Sequence, residues 1–194
     1  MTAELNWNDL VEYFGDDLAA HRVRLSHAGW NTYGLLASRF IENDTLGVVN
    51  GEGEHAERKL VGSALWTQQL DQALAAWHPN SSPMLVLLAI NRSPCADCAH
   101  LLADALHRIH NKYPLTAEKH VFLLASLGYY HSNKDEPRAP GALPKNFTTE
   151  RGLRALRDAG WRLCTLSFDG QLTRRGKEFG AQLQRMSGRR SWAD

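Results

Sequence analysis

Residues 84–109 read MLVLLAINRSPCADCAHLLADALHRI, and this stretch decides the fold. Its first seven residues are continuously apolar, as in a short central β-strand that is covered on both faces. Pro94 suits the first turn of a helix, and an apolar stripe follows it at helical spacing: Cys98, Leu101, Leu102, Ala105, Leu106 and Ile109. The stretch therefore predicts a buried strand that leads into an amphipathic helix, which is typical of an α/β domain.

The flanking sequence extends this pattern on both sides. Residues 31–41 and 46–50 are β-like runs around turn residues and predict a hairpin, and residues 60–77 carry one long helical stripe. Downstream, residues 120–127 predict a strand. A helix over residues 149–159 and a last strand, WRLCTLSF, follow, and this order predicts that the last two strands are parallel.

Both ends of the chain are predicted to be helical. Near the start, Trp7, Leu10, Val11, Phe14 and Leu18 recur at helical spacing, which predicts an amphipathic helix that docks on the rest of the domain. A basic, helix-permissive segment finishes the chain. We expect both elements to belong to one domain, because 194 residues fit a single α/β unit better than two.

Composition and charge exclude some functional classes and leave others open. No uninterrupted apolar stretch has the length of a membrane helix, and the first residues lack the basic and apolar pattern of a secretion signal, so we expect a soluble cytoplasmic protein. Two of the three cysteines are only three positions apart, which favours a metal pair in a reducing compartment over a disulfide. The net charge is +1, but residues 151–194 hold ten Lys/Arg against four Asp/Glu. Such a segment either tracks phosphates or is a solvated helical surface.

Two short motifs carry the chemistry. The first is His55-Ala56-Glu57, where a core helix is predicted to begin, and the second is Cys95 and Cys98 just after Pro94. One imidazole and two thiolates at two helix starts can hold a zinc ion and leave a fourth position for water, whose pKa then falls to about 7. Glu57 is not needed as a ligand, so it can move protons as a general acid and base.

In this order the two motifs form the H-x-E and P-C-x-x-C signature of the zinc base deaminases. On these residues the chain resembles the cytidine deaminase-like superfamily and, within it, the nucleic-acid editing branch, over roughly residues 31–168. Ser93-Pro94-Cys95 is similar to the Ser-Pro-Cys of the AID/APOBEC enzymes, and HAERKL is similar to bacterial polymorphic-toxin deaminases. The resemblance implies a three-layer α/β fold in which helices flank a mixed five-stranded sheet and the zinc-bearing helices share one face.

The resemblance also implies a division of the chain and a set of substrate contacts. Residues 1–30 would be an accessory helix, residues 31–168 the deaminase core and residues 169–194 a basic C-terminal helix. The implied substrate-binding residues are Ala56, through its backbone amide, Asn50, Ser93, Tyr129 and Tyr130. The tyrosine pair could stack on a splayed base, although it also fits a core edge, and Asn50 also fits a turn or a helix cap.

The leading hypothesis is a hydrolytic deaminase with one Zn²⁺ per chain that converts cytosine to uracil in single- or double-stranded DNA, or in RNA. A first alternative is a deaminase of free nucleosides or nucleotides such as deoxycytidylate. A second is a binding module with a structural zinc, which requires a fourth protein ligand; Cys164 is too distant in sequence to be assigned that role by inspection. The toxin likeness adds the expectation that the chain acts in a target cell and has an immunity protein as a partner, with no membrane partner.

Overall fold

The computed structural model describes residues 3–27, 33–38, 47–50, 55–78, 83–130 and 148–188. Within these ranges the strands are β1 (Ala3–Asn6), β2 (Tyr33–Ser38), β3 (Gly47–Asn50), β4 (Met84–Ile90), β5 (His120–Ser126) and β6 (Trp161–Ser167). The α-helices are α1 (Trp7–Phe14), α2 (Arg22–His27), α3 (Ala56–Gly62), α4 (Asp71–Ala76), α5 (Ala96–Lys112), α6 (Glu150–Asp158) and α7 (Arg174–Gly188). A 3₁₀ helix (Asp16–His21) precedes α2, and a π-helix (Leu65–Leu70) precedes α4.

All six strands form one mixed sheet in the order β1-β6-β5-β4-β2-β3. The strands β4, β5, β6 and β1 are parallel, whereas β2 pairs antiparallel with both β4 and β3. The predicted hairpin and the predicted parallel pairing of the last two strands are therefore confirmed.

The prediction of five strands is wrong, because β1 adds a sixth strand to the described sheet. β1 is an edge strand of four residues, and Ala3 lies opposite Cys164 of β6. AELN does alternate apolar and polar residues, but it has only four residues and runs directly into the helical stripe that begins at Trp7, so the helical pattern dominates the interpretation of this segment. The predicted helix starts directly after it, at Trp7, where Asn6 caps α1 by accepting a hydrogen bond from the Asn8 amide.

Helices cover both faces of the sheet, which gives three layers. On one face α3, α4, α5, α6 and α7 pack with the even-numbered residues of β4 in a core that includes Leu88, Leu102 and Leu153. On the other face α1, the 3₁₀ helix and α2 bury Trp7, Leu10, Phe14, Leu18 and Leu25 against Leu87 and Ala89. The apolar positions predicted near the start of the chain thus form the second core; of these, Val11 is only partly buried.

The single long helix predicted over residues 60–77 is also wrong, because three helical segments replace it. Helix α3 ends at Gly62, where the Ser63 hydroxyl donates to the Leu60 carbonyl at 2.6 Å, and a π-helical turn follows. Such a turn shifts the phase of the apolar stripe, so Trp66 and Leu70 are buried while Ala64 is exposed. In the described ranges, no helix is both long enough and apolar enough for a bilayer.

Candidate active site

The site lies between the first residues of two helices on the same face of the sheet. His55 is the N-cap of α3, and Cys95 is the N-cap of α5. Cys98 follows one turn later in α5, where residues three apart share a helix face. In the sequence, both caps stand next to turn-forming residues. In the structure, the two helices come from distant parts of the chain and begin close to each other.

Three metal-ligand side chains converge at that point. The Nδ1 atom of His55 lies 3.2 Å from the Cys98 sulfur and 3.4 Å from the Cys95 sulfur. The ligand atoms of the three residues all lie within 4.8 Å of one another. On a tetrahedral zinc with ordinary bond lengths, a nitrogen and a sulfur ligand are about 3.6 Å apart. The spacing of the three side chains therefore fits a shared metal ion.

The protonation states of Cys95 and Cys98 favour binding of a cation by the three side chains. A hydrogen bond from the Cys98 thiol is the main reason why the pKa of Cys95 is lowered to about 4, and His55 and the Cys98 amide act in the same direction. The pKa of Cys98 is raised, chiefly because its thiol donates that hydrogen bond. The hydrogen bond with Cys95 raises the pKa of His55. Cys95 is thus a thiolate at a helix start, where amide groups stabilise negative charge.

Glu57 lies in the first turn of α3 and is buried, with 3% of its surface exposed. Its Oε2 atom has no hydrogen-bond partner among the described residues. Burial raises the pKa of Glu57 to about 7, and the charge on His55 lowers it while that on Cys95 raises it. A buried carboxyl oxygen without a hydrogen bond is costly in free energy, and it usually marks a functional position.

The structure supplies three protein ligands and no fourth among the residues that it describes. Cys164 belongs to the core on the other face of the sheet, where it packs with Trp7 and Leu166. Its pKa is raised to about 11 by burial, which suits an apolar neighbour and not a metal ligand. The fourth ligand that a structural zinc site would need is not provided by Cys164.

Ser93 and Thr148 hold the loop that carries Cys95. The Ser93 hydroxyl accepts a hydrogen bond from the Tyr130 amide at 3.0 Å and lies 2.7 Å from the Thr148 hydroxyl. The Thr148 hydroxyl in turn donates to the Pro94 carbonyl at 2.9 Å. Both side chains are buried, at 1% and 2% exposed. Ser93, a predicted substrate contact, is therefore bonded within the protein, and Thr148 is a member of the site that no sequence motif indicates.

The two predicted tyrosines have different surroundings. Tyr129 is half-buried, its hydroxyl donates to the Thr148 carbonyl at 3.1 Å, and its ring centroid lies 6.3 Å from that of Phe179 in the core. Tyr130 lies against Arg92, whose guanidinium carbon is 5.5 Å from the ring centroid. Tyr129 therefore packs as a core-edge residue does, whereas Tyr130 lies beside a cation.

The other two predicted substrate contacts, Ala56 and Asn50, lie at the start of a helix and at the end of a strand. Ala56 is the first residue of α3, directly between His55 and Glu57, and it is fully buried. Asn50 is the last residue of β3 and lies opposite Tyr33 of β2. The side chain of Asn50 lies outside the described residues, so its contact with substrate stays a prediction.

The interpretation of this site rests on its own residues. A scan against models of protein families and a search of the curated proteins both end without a match. The geometry shows a group of three side chains that can bind a metal ion, beside a buried carboxyl.

Proposed function

We propose that the protein is a zinc-dependent hydrolytic deaminase that converts cytosine to uracil in a nucleic-acid strand. The observation that carries this proposal is the convergence of His55, Cys95 and Cys98 beside the buried, unpartnered Oε2 of Glu57. A structural zinc site has no use for such a carboxyl, whereas a hydrolytic site needs one close to the metal.

The ligand set supports zinc as the metal. One imidazole nitrogen and two sulfurs are the donors that zinc prefers, and three protein ligands are typical of its catalytic sites. When bound, the ion would lower the pKa of a water molecule to about 7 and so supply a nucleophile at neutral pH. His55, Cys95 and Cys98 would hold it, with Cys95 already a thiolate.

Glu57 would carry the protons of the reaction. In hydrolytic deamination, water adds to C4 of cytosine, the ring nitrogen N3 gains a proton, and the exocyclic amine leaves as ammonia. The Glu57 carboxylate would take the proton from water, deliver it to N3 and then assist protonation of the leaving amine. Burial raises its pKa to about 7, so both the acid and the base form exist near neutral pH.

The fold and the rim of the site support a base as substrate. The helices α3 and α5 that bear the ligands lie on one face of a mixed sheet, as the deaminase resemblance implies. Ala56, at the start of α3, would present its amide to the base, and Asn50, at the end of β3, would orient the nucleotide. Tyr130 beside Arg92 would stack on a neighbouring base, since an aromatic ring next to a cation suits a nucleic-acid strand.

The test uses the purified full chain, with zinc measured per chain by elemental analysis. We expect one zinc per chain, and we expect uracil, read by sequencing, in at least one of four substrates: single- or double-stranded DNA or RNA of random sequence. Glu57→Gln is the matched variant, because it keeps the side-chain shape and removes only the acid-base function; it should retain zinc and lose turnover.

Three outcomes would contradict the proposal. If ammonia is released from deoxycytidylate and not from any polynucleotide, the substrate is a free nucleotide. If zinc is retained and the intact protein deaminates no substrate, the site is structural. If Glu57→Gln turns over as fast as the intact protein, the carboxyl does not move the protons.

A further inference from the structure

A cleft of about 330 Å³ lies at the carboxyl ends of β4 and β5, apart from the three metal-ligand residues. Its polar lining comes from three separate parts of the chain: Ser26, Asn91, Arg92, Thr173, Arg174 and Arg175. The volume is in the range of small-ligand sites. The cleft is therefore large enough to hold part of a bound molecule.

Three arginines give this cleft a strongly positive character. Arg92 follows β4, whereas Arg174 and Arg175 open α7, and none of the described residues that line the cleft is acidic. Arg174 also pairs with Glu178 of the same helix, whose carboxylate lies 3.4 Å from it. Three guanidinium groups around one cleft attract an anion.

The backbone holds the walls of the cleft in place. The Thr173 hydroxyl donates to the Leu127 carbonyl at 2.8 Å, and the Tyr129 amide donates to the Arg175 carbonyl at 3.0 Å. Gly128 packs so closely against Arg175 that a Cβ on it would lie 2.7 Å from the Arg175 Cβ. The start of α7 is thus fixed on the end of β5, and the arginine side chains extend from a rigid base.

The cleft adjoins the candidate active site. The Ser93 amide donates to the carbonyl of Gly128, a lining residue, at 2.8 Å, and Ser93 stands two positions before Cys95. Arg92 is three residues from Cys95, so their Cα atoms are at most about 11 Å apart. The same Arg92 lies over Tyr130, whose amide donates to the Ser93 hydroxyl at 3.0 Å.

We propose that the cleft of Arg92, Arg174 and Arg175 binds backbone phosphates of the strand whose base enters the active site. This inference rests on the proposed function and adds the position of the nucleic-acid strand on either side of the reacting base. A guanidinium group matches the paired oxygens of a phosphate, and it remains charged at all relevant pH values. A free nucleotide has its only phosphates close to the reacting base, so a separate basic cleft favours a polynucleotide.

The test measures binding of a fluorescent 15-mer single-stranded DNA by anisotropy, at salt concentrations from 50 to 200 mM. Each lost phosphate contact should reduce the slope of log K against log salt by about 0.7, which weakens binding about eightfold at 50 mM and about threefold at 200 mM. We expect this for Arg174→Gln and Arg92→Gln. The Arg174 side chain is 94% exposed, so its replacement leaves folding intact.

Arg185→Gln is the matched control, because it removes the same charge from the same helix, outside the cleft lining. Eleven residues of helix separate Arg174 from Arg185 by about 16 Å, roughly twice the screening length at physiological salt. This variant should keep the salt slope of the intact protein.

The binding readout separates failure of this inference from failure of the proposed function. An unchanged slope for both cleft variants, or an equal loss for Arg185→Gln, would overturn the cleft assignment even if uracil is formed. Equal weakening of deoxycytidylate and 15-mer binding would also overturn it, because the cleft would then hold a free nucleotide. Strand binding that depends on the cleft, in a protein that deaminates nothing, would refute only the proposed function.

Discussion

The Thr148 hydroxyl offers a sharp test of how the protein holds its metal-binding loop. It links the Ser93 hydroxyl, at 2.7 Å, to the Pro94 carbonyl, at 2.9 Å, and Pro94 precedes the ligand Cys95. Thr148→Val keeps the volume of the side chain and removes only this link. The Ser93 hydroxyl would then lose the acceptor for its proton, although it keeps the bond from the Tyr130 amide, and the buried Pro94 carbonyl would lose its donor.

The expected cost follows from these two groups. Each unsatisfied buried polar group costs about 1–3 kcal/mol, so the variant should lose about 3 kcal/mol of unfolding free energy. For a chain of this size that corresponds to a fall in Tm of about 6–12 °C. Because the loop also carries Cys95, we expect zinc affinity to fall about tenfold, as it does when the support of a metal ligand is removed.

Thr149→Val is the matched control for this experiment. The Thr149 hydroxyl accepts a hydrogen bond from the Gly152 amide at 3.0 Å and so caps α6, and it forms no hydrogen bond with the Cys95 loop in the described structure. Its loss should cost about 1 kcal/mol and leave zinc affinity unchanged. Thermal unfolding followed by circular dichroism and chelator competition measure the two effects. Equal zinc affinities for Thr148→Val and the intact protein would refute the role assigned to Thr148.

Three further predictions concern the ligands, the buried carboxyl and the cleft wall. Cys98→Ser should abolish stoichiometric zinc binding in elemental analysis, whereas Cys164→Ser should retain one zinc per chain; loss of zinc from both would place Cys164 in the metal site. Glu57→Gln should melt no lower than the intact protein, since it replaces a buried carboxyl whose Oε2 has no partner among the described residues, and a clearly lower Tm would show that this group stabilises the fold. Gly128→Ala should lower Tm by about 2–6 °C through its close contact with Arg175. The control Gly62→Ala, with nothing within 4 Å, should raise Tm slightly, and equal shifts would contradict the packing argument.

The elements that the sequence predicts well are those whose apolar pattern is strong and local. The run Met84–Ile90 is a strand, and the stripe that follows Pro94 is a helix, because burial of those side chains dominates their local preference. The strand Ala3–Asn6 was not predicted in this way, since its alternation covers only four residues and the helical stripe begins directly after it. The π-helical turn after Gly62 was not predicted either, because in the sequence an apolar stripe that shifts its phase resembles one continuous stripe.

The residues of the candidate site also fall into those that the sequence predicts and those that it does not. His55, Cys95 and Cys98 are found by residue type and spacing, because metal ligands belong to few residue types and helix starts have recognisable neighbours. Thr148 acts through hydrogen bonds to residues more than fifty positions away, and a threonine before a helix is ordinary in any sequence. Tyr129 and Tyr130 are adjacent in sequence, yet their surroundings differ, because Tyr129 packs on Phe179 and Tyr130 lies against Arg92.

The pairing of β1 with β6 has a consequence for the order in which the molecule folds. Ala3 meets Cys164 across 161 positions of chain, whereas Met84 meets His120 across 36. Closing the longer loop costs about 1.3 kcal/mol more in chain entropy. A strand of four residues forms few contacts that could offset this cost. On a ribosome, β1 cannot pair until β6 has been synthesised, and until then Trp7 also lacks its contact with Phe168. Refolding should therefore show burial of Trp7 as a late event, after the β4–β5 hydrogen bonds are protected from exchange.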